Sequence, residues 1–188
     1  LKIFEEGVSD FSTIDWAMRE LGGFPMGPFE LMDYIGNDIN YSATKAVYEG
    51  TNYNPRYKPS HIQKKMVEIG HLGRKSGKGY FDYTNKYNHY EPNKDQKLGR
   101  IIVNRILAML INEAADTLHL EIATRDDIDT AMTIGVNYPK GLLKWADEIG
   151  IKSILKQIKE LSSKTNDLRY QPSPLLEEML HKNTLFYS

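Results

Sequence analysis

The sequence predicts an all-α fold in which one helical module is used twice, and three observations carry that expectation. First, residues 14 to 36 return at 128 to 150 without a gap. Ile14, Asp15, Ala17, Met18, Pro25, Gly27, Asp33, Ile35 and Gly36 fall on Ile128, Asp129, Ala131, Met132, Pro139, Gly141, Asp147, Ile149 and Gly150. Self-similarity at a fixed offset marks one supersecondary unit repeated. Second, helix start and stop signals recur along the whole chain. Third, apart from Gly79 to Tyr83, a candidate short extended piece, no stretch sustains the period-two alternation of a half-buried strand.

In chain order, Gly7 ends a short helical remnant and Asp10 offers an N-cap. Ile14, Ala17, Met18 and Leu21 then recur at helical spacing until Gly22 and Gly23 stop them. Pro28 suits the first turn of a longer helix running towards Tyr48 and ending at Gly50, and Pro59 with Ser60 opens another through Met66 to Ile69. The polar stretch Thr84 to Lys97, with Asn85, Asn88, Pro92 and Asn93, reads as a linker. The apolar run Leu98 to Leu118 predicts a long helix, whose first-copy counterpart would lie mostly upstream of Leu1. Thr124 and Asp127 form a capping-box pair ahead of Ile128. Arg169, Tyr170, Pro172, Ser173 and Met179 repeat Arg56, Tyr57, Pro59, Ser60 and Met66, so the modules share their later helices as well. The expected division is 1–83 for a first copy truncated at its N-terminus, 84–97 for the linker and 98–188 for the second copy.

Composition narrows the classes of function. A formal charge of −1 over 188 residues offers no broad attraction to a phosphate backbone, so nucleic acid is not an expected partner. No window is apolar enough to predict a membrane span and no signal peptide opens the chain. The lack of cysteine excludes disulfides and thiol chemistry and suits a cytoplasmic protein. The five histidines, His61, His71, His89, His119 and His181, show neither metal-ligand nor His/Glu spacing and read as ordinary surface residues. No metal site is expected.

Two blocks carry a family resemblance. Gly23-Phe24-Pro25-Met26-Gly27-Pro28-Phe29-Glu30-Leu31-Met32-Asp33, followed by Gly73-Arg74-Lys75-Ser76-Gly77-Lys78-Gly79-Tyr80-Phe81-Asp82-Tyr83, closely resembles the C-terminal domain of the 3-hydroxyacyl-CoA dehydrogenases. The second copy, with Val103-Asn104-Arg105 and Tyr138-Pro139-Lys140-Gly141, is similar to the extra C-terminal domain that some members carry in tandem. The resemblance implies two tandem copies of the helical domain typified by the C-terminal part of 6-phosphogluconate dehydrogenase, packed as a pseudo-dimer. The apolar faces of both copies, including Ile101, Leu107, Met109 and Leu110, would meet. It also implies an N-terminal Rossmann domain, absent from this sequence, that binds most of the NAD and supplies the catalytic His and Glu. The acyl-CoA substrate and that domain are then the expected partners, with a homodimer possible for the intact protein.

For the site itself, the resemblance places Lys75 on the cofactor and sets Phe24, Pro25, Met26 and Phe29 beside the acyl chain. From the residues alone, Gly77 and Gly79 admit unusual backbone angles and close approach of a ligand, and Lys75 offers an ammonium to a phosphate; a tight basic turn ending the module is the plainer alternative. The spacing matches neither a P-loop nor a dinucleotide fingerprint. Core packing is the plainer reading of the four apolar residues. Asp33 and Asp147 read as helix-terminus or turn partners rather than paired acids. No residue of this chain is assigned as catalytic. Asn104, which resembles the family's substrate-positioning Asn, stands in the wrong copy and reads as a structural residue bonded within a mostly buried helix. The expected function is therefore the substrate-cleft and dimerisation region of an NAD-dependent dehydrogenase. It would convert (S)-3-hydroxyacyl-CoA, 3-hydroxybutyryl-CoA above all, to 3-oxoacyl-CoA in fatty-acid or aromatic-acid breakdown. A non-catalytic helical assembly module is the alternative class, and a sugar-acid dehydrogenase with a helical C-terminal domain the weaker enzymatic rival.

Overall fold

A computed structural model describes residues 1–85 and 90–187. Asn88 and His89 of the expected linker, and the terminal Ser188, lie outside the described residues. The described chain is helical, with no strand; Gly73–Lys78 and Lys78–Asp82 form isolated bridges only, so the piece around Gly79 stays a turn. It forms two compact units, Leu1–Ile102 and Val103–Ser188. No described helix is long and apolar enough to cross a membrane.

The first unit begins with α1 (Lys2–Glu5) and α2 (Phe11–Trp16). Asp10 caps α2 as expected, its carboxylate accepting from the Thr13 N–H at 2.8 Å. The helix then widens into a π turn, Ala17–Leu21, closed by a bond from the Gly22 N–H to the Ala17 carbonyl. Apolar periodicity does not register such a widening. Next come α3 (Pro28–Ile35) and α4 (Asn37–Gly50). These correct the expected unbroken helix from Pro28 to Gly50. Gly36 adopts φ 109° and ψ 128°, outside the helical region, and a Cβ there would stand 2.8 Å from Lys75 Nζ and 2.9 Å from Asp38 Oδ1. α5 (His61–Glu68) opens on a full capping box, Ser60 accepting from the Ile62 N–H and Gln63 accepting from the Ser60 N–H at 2.9 Å. From the expected linker, Tyr90 packs its ring 5.1 Å from Phe11 and the Asn93 N–H donates to Thr13 Oγ1 at 2.8 Å.

α6 (Gln96–His119) starts two residues inside that linker and carries residues of both units. The second unit continues with α7 (Arg125–Thr130), a second π turn at Ala131–Gly135, α8 (Leu142–Ile149), α9 (Ile151–Thr165) and α10 (Pro174–Lys182). The repeat reaches the level of single bonds. Phe24 N–H donates to the Met18 carbonyl at 3.1 Å, and Tyr138 N–H to the Met132 carbonyl at 2.9 Å. Gly150, with φ 88°, separates α8 from α9 as Gly36 separates α3 from α4. Thr124 accepts from the Asp127 N–H at 3.2 Å, and the return bond of its cap runs from the threonine hydroxyl to the Asp127 carboxylate.

Two aspartates per copy account for the polar residues that the repeat preserves in the 14–36 block, and for one of its glycines. Asp15 accepts from the Phe29 and Glu30 N–H groups, both at 2.8 Å, and Asp129 accepts from Leu143 at 2.8 Å and Lys144 at 3.0 Å. Each carboxylate thus satisfies orphan donors at the start of the next helix, α3 or α8, where the dipole favours negative charge. A Cβ at Gly27 would lie 2.2 Å from Asp15 Cγ, and one at Gly141 2.3 Å from Asp129 Cγ, so these glycines make room for the carboxylates. The second pair acts at the far end of the module. Asp33 accepts from the Tyr80 and Phe81 N–H groups at 3.0 and 2.9 Å; Asp147 accepts from Phe186 and Tyr187 at 2.9 and 2.8 Å. Both act as turn partners, as the sequence suggested.

The last pairing differs between the copies in the chain that leads to it. Counted from the end of α10, the second copy reaches its clasp after only three residues. Phe186 and Tyr187 take the part of Tyr80 and Phe81, and the loop between is bypassed.

Two residues make this frame testable. Burial pushes the Asp15 carboxyl up from 3.8 to about 7, against the opposing pull of its two N–H donors. A raised folded-state pKa means that the folded protein holds this proton more tightly. The stability so carried is complete below pH about 4 and lost as pH rises through about 7. Asp15→Asn, which has no such proton, should give a flatter profile. The melting temperature of the parent minus that of the variant is expected to shrink between pH about 4 and about 8, and parallel profiles would count against the assignment. Tyr80 is buried with its hydroxyl unpartnered, and the second copy places Phe186 on the same kind of backbone contact. Tyr80→Phe is expected to stabilise by up to about 1 kcal/mol, or about 2–4 °C in a melting scan. A clear loss would show that the hydroxyl is bonded in solution.

Candidate functional site

Asp33 organises the Gly-rich segment of the first copy. It is fully buried near the C-terminal end of α3, and besides its two backbone donors it accepts from the Tyr83 hydroxyl at 3.1 Å and the Asn37 amide at 2.9 Å. A Cβ on Gly79 would fall 2.0 Å from Asp33 Oδ1, and one on Gly73 2.2 Å from the Asp33 carbonyl oxygen. The close approach at Gly79 is therefore made to Asp33 rather than to a ligand, and Gly79 lacks a positive φ. Gly77 does have one, 76°, as a basic turn requires. Ser76 closes that turn: its hydroxyl accepts from the Leu72 N–H at 2.9 Å and donates to the Lys78 carbonyl at 2.8 Å. Burial, with the Asp33 charge nearby, holds the Tyr80 and Tyr83 phenols well above their ordinary range.

Two cations of the loop, Arg74 and Lys75, have carboxylate partners. Arg74 Nη2 lies 2.9 Å from Glu30 Oε1, and its guanidinium sits over the Tyr34 and Tyr83 rings at 5.2 and 5.6 Å. Glu30 also meets Arg19 of the π turn at 3.5 Å. Lys75 Nζ lies 2.5 Å from Asp38 Oδ1, with 45% of its side chain exposed, and the ammonium bond holds the Asp38 carboxyl below its ordinary value. Exposed pairs of this kind are worth at most about 1 kcal/mol, so an incoming phosphate can share or replace Asp38. Lys75 thus fits the role of a peripheral contact to an anionic cofactor. It does not by itself form a dinucleotide cradle.

The apolar candidates divide. Phe29 is 0% exposed and packs edge-on against Phe4 at 5.6 Å and Tyr80 at 4.8 Å, so its ring belongs to the core. Phe24 is also buried, whereas Pro25 is exposed and Met26 half-buried. Glu30 of α3, the helix that follows this turn, pairs with Arg74 of the Gly-rich loop.

Asn104 is exposed on α6, between the buried Val103 and Arg105. The buried polar residues of α6 are Arg105, bonded to the Tyr170 hydroxyl, and Asn112, which donates to the Gln171 carbonyl at 3.0 Å and accepts from the Ser173 N–H at 2.8 Å. An isolated Asn in an apolar run was the available signal for Asn112, and it was missed. Of the described histidines, His61 is 78% exposed beside Glu5, His119 and His181 are exposed, and His71 is half-buried. No group of three metal-ligating side chains occurs among the described residues.

Known proteins bear on this arrangement. The chain is 28% identical to the 3-hydroxyadipyl-CoA dehydrogenase of Escherichia coli strain K12, over 94% of this chain and 55% of that protein. It is 42% identical to a 3-hydroxybutyryl-CoA dehydrogenase of Bradyrhizobium diazoefficiens, over 42% of this chain and 26% of the relative. The crystal structure of 3-hydroxybutyryl-CoA dehydrogenase from Escherichia coli K12 superimposes with a TM-score of 0.87 at 26% identity, covering 97% of this chain and 57% of that one. The chain thus spans a little over half the length of the Escherichia coli relatives. The description "3-hydroxyacyl-CoA dehydrogenase, C-terminal domain" matches twice, at residues 1–83 and 101–186, and the chain belongs to that family.

Proposed function

We propose that this chain is the tandem C-terminal region of an NAD-dependent dehydrogenase that oxidises (S)-3-hydroxyacyl-CoA, with 3-hydroxybutyryl-CoA the foremost substrate, to 3-oxoacyl-CoA in the cytoplasm. The observation that carries the proposal is the double family match combined with an asymmetry between the copies: both keep the aspartate frame, and only the first keeps the Gly-rich loop with Lys75. The copies are read as 1–83 and 98–188, joined by 84–97 and packed as a pseudo-dimer, which a short linker favours by effective concentration.

The division of labour follows from the chemistry. NAD, if bound, would supply the hydride acceptor for the alcohol carbon, Lys75 being the residue of this chain that would hold one of its phosphates, and a base would be needed for the hydroxyl proton. We assign that base, with its carboxylate partner, to a Rossmann domain upstream of Leu1. The residues of this chain bind and orient. Lys75 meets a cofactor phosphate, Pro25 and Met26 offer apolar contact to the acyl chain, and Phe24 and Phe29 back that turn from the core. The second copy serves as scaffold, and the intact protein pairs further as a homodimer.

The isolated chain is expected to give no turnover with acetoacetyl-CoA and NADH, and measurable NADH oxidation by it would move the base into these residues. Reading the gene upstream of Leu1 should show a Gly-x-Gly-x-x-Gly after a first strand. An unrelated domain there would favour an assembly module. In the extended gene product, Lys75→Met is expected to raise KM for NADH about three- to tenfold, with a smaller change in kcat. An unchanged KM would remove Lys75 from the cofactor site.

A further inference from the structure

The first turn of α4 differs from its repeat in a way that follows the Gly-rich loop. At the repeat offset Gly36 falls on Gly150, and both keep a positive φ, whereas Asn37 falls on Ile151 and Asp38 on Lys152. An acidic residue in the first turn of a helix is favoured by the dipole alone. The second copy nevertheless carries a lysine there, at the start of α9, so the dipole does not dictate Asp38. What the second copy lacks is a counterpart of Lys75, because its chain from α10 to Phe186 spans only 183–185. Asp38 and Lys75 are therefore present together in one copy and missing together from the other.

Both residues of that turn serve the loop. The Asn37 N–H donates to the Leu72 carbonyl at 3.2 Å, and the Asn37 amide donates to the His71 carbonyl at 2.9 Å as well as to Asp33. Gly73 stands against the Asp33 backbone, and Arg74 is held by Glu30 and the rings of Tyr34 and Tyr83. The backbone at Lys75 is thus fixed relative to α4 on both sides. The freedom that remains is that of the Lys75 side chain, a flexible four-carbon stem whose ordering costs entropy. Asp38 removes it. Its Oδ1 atom is shielded from solvent and lies 2.5 Å from Lys75 Nζ, and the absence of a Cβ at Gly36 leaves the room that the ammonium occupies.

We infer, on the reading of Lys75 as a cofactor contact, that Asp38 is a positioning residue: with Gly36 it forms a seat that presents the Lys75 ammonium, already ordered, to a phosphate of the cofactor. A seated cation spares the binding step the cost of ordering its side chain. A carboxylate that merely competed with the phosphate would have the opposite effect on affinity. The test compares KM for NADH and kcat in the extended gene product for Lys75→Met, Asp38→Ala, Asp38→Glu and the double variant Lys75→Met/Asp38→Ala. Asp38→Ala should raise KM about two- to fourfold with a smaller change in kcat, and Asp38→Glu should recover most of the loss. In the Lys75→Met background Asp38→Ala should leave KM unchanged, because the seat has no occupant. Asp38→Asn, which removes the charge and keeps the volume, should raise KM in the same direction and decides the matter where Asp38→Ala does not fold. A second readout needs no cofactor: in the 188-residue chain the NMR signal of the Lys75 ammonium, its exchange with water slowed by the carboxylate, should be visible in the parent and in Asp38→Glu and lost in Asp38→Ala. An unchanged KM in Lys75→Met would overturn the reading of Lys75 and the seat with it. A raised KM in Lys75→Met beside an unchanged or lowered KM in Asp38→Ala would overturn the seat alone, as would an equal effect of Asp38→Ala in both backgrounds or an ammonium signal that survives it.

Discussion

A carboxylate that accepts two consecutive backbone N–H groups is the interaction on which each unit depends. Asp15 and Asp129 fasten the end of one helix to the start of the next; Asp33 and Asp147 fasten that next helix to the segment closing the module. A buried carboxylate is costly unless its lone pairs are met, and a buried helix start leaves donors needing acceptors. Each group answers the other's requirement. The glycines against these carboxylates follow from the same geometry, because the approach leaves no room for a Cβ.

This frame was legible in the sequence to the extent that it repeats. Asp15, Gly27, Asp33 and Gly36 stood out as matched positions before their partners were known, and capping at Asp10 and Ser60 followed from local chemistry. Gly36 shows where local reading failed. Its neighbours are compatible with one continuous helix, and the break appears only in the backbone angles, φ 109° at Gly36 and φ 88° at the matched Gly150, which apolar spacing does not register. The π turns escaped for a related reason, since one extra residue in a turn barely alters apolar spacing.

The candidate site was only partly legible. The Gly-rich loop was singled out, yet Gly79 serves the Asp33 carboxylate rather than a ligand, and Phe29 belongs to an aromatic core. A glycine that accommodates its own protein looks the same in sequence as one that accommodates a cofactor. Asn104 and Asn112 show a parallel ambiguity: both are polar residues in one apolar helix, and only burial with defined partners distinguishes them.

The way Asp147 holds Phe186 and Tyr187 has an architectural consequence. From the end of α5 to Tyr80 the chain spends residues 69–79, whereas from the end of α10 to Phe186 it spends only 183–185, and the same two-bond grip closes both excursions. The clasp therefore specifies where the strap is fastened and leaves its length free. Closure entropy grows by only about 0.6 kcal/mol per doubling of length, so the excursion can be lengthened, shortened or exchanged at small thermodynamic expense. Such a module can lengthen or shorten the loop without dismantling its scaffold, and this one chain holds a long and a short version of the same design.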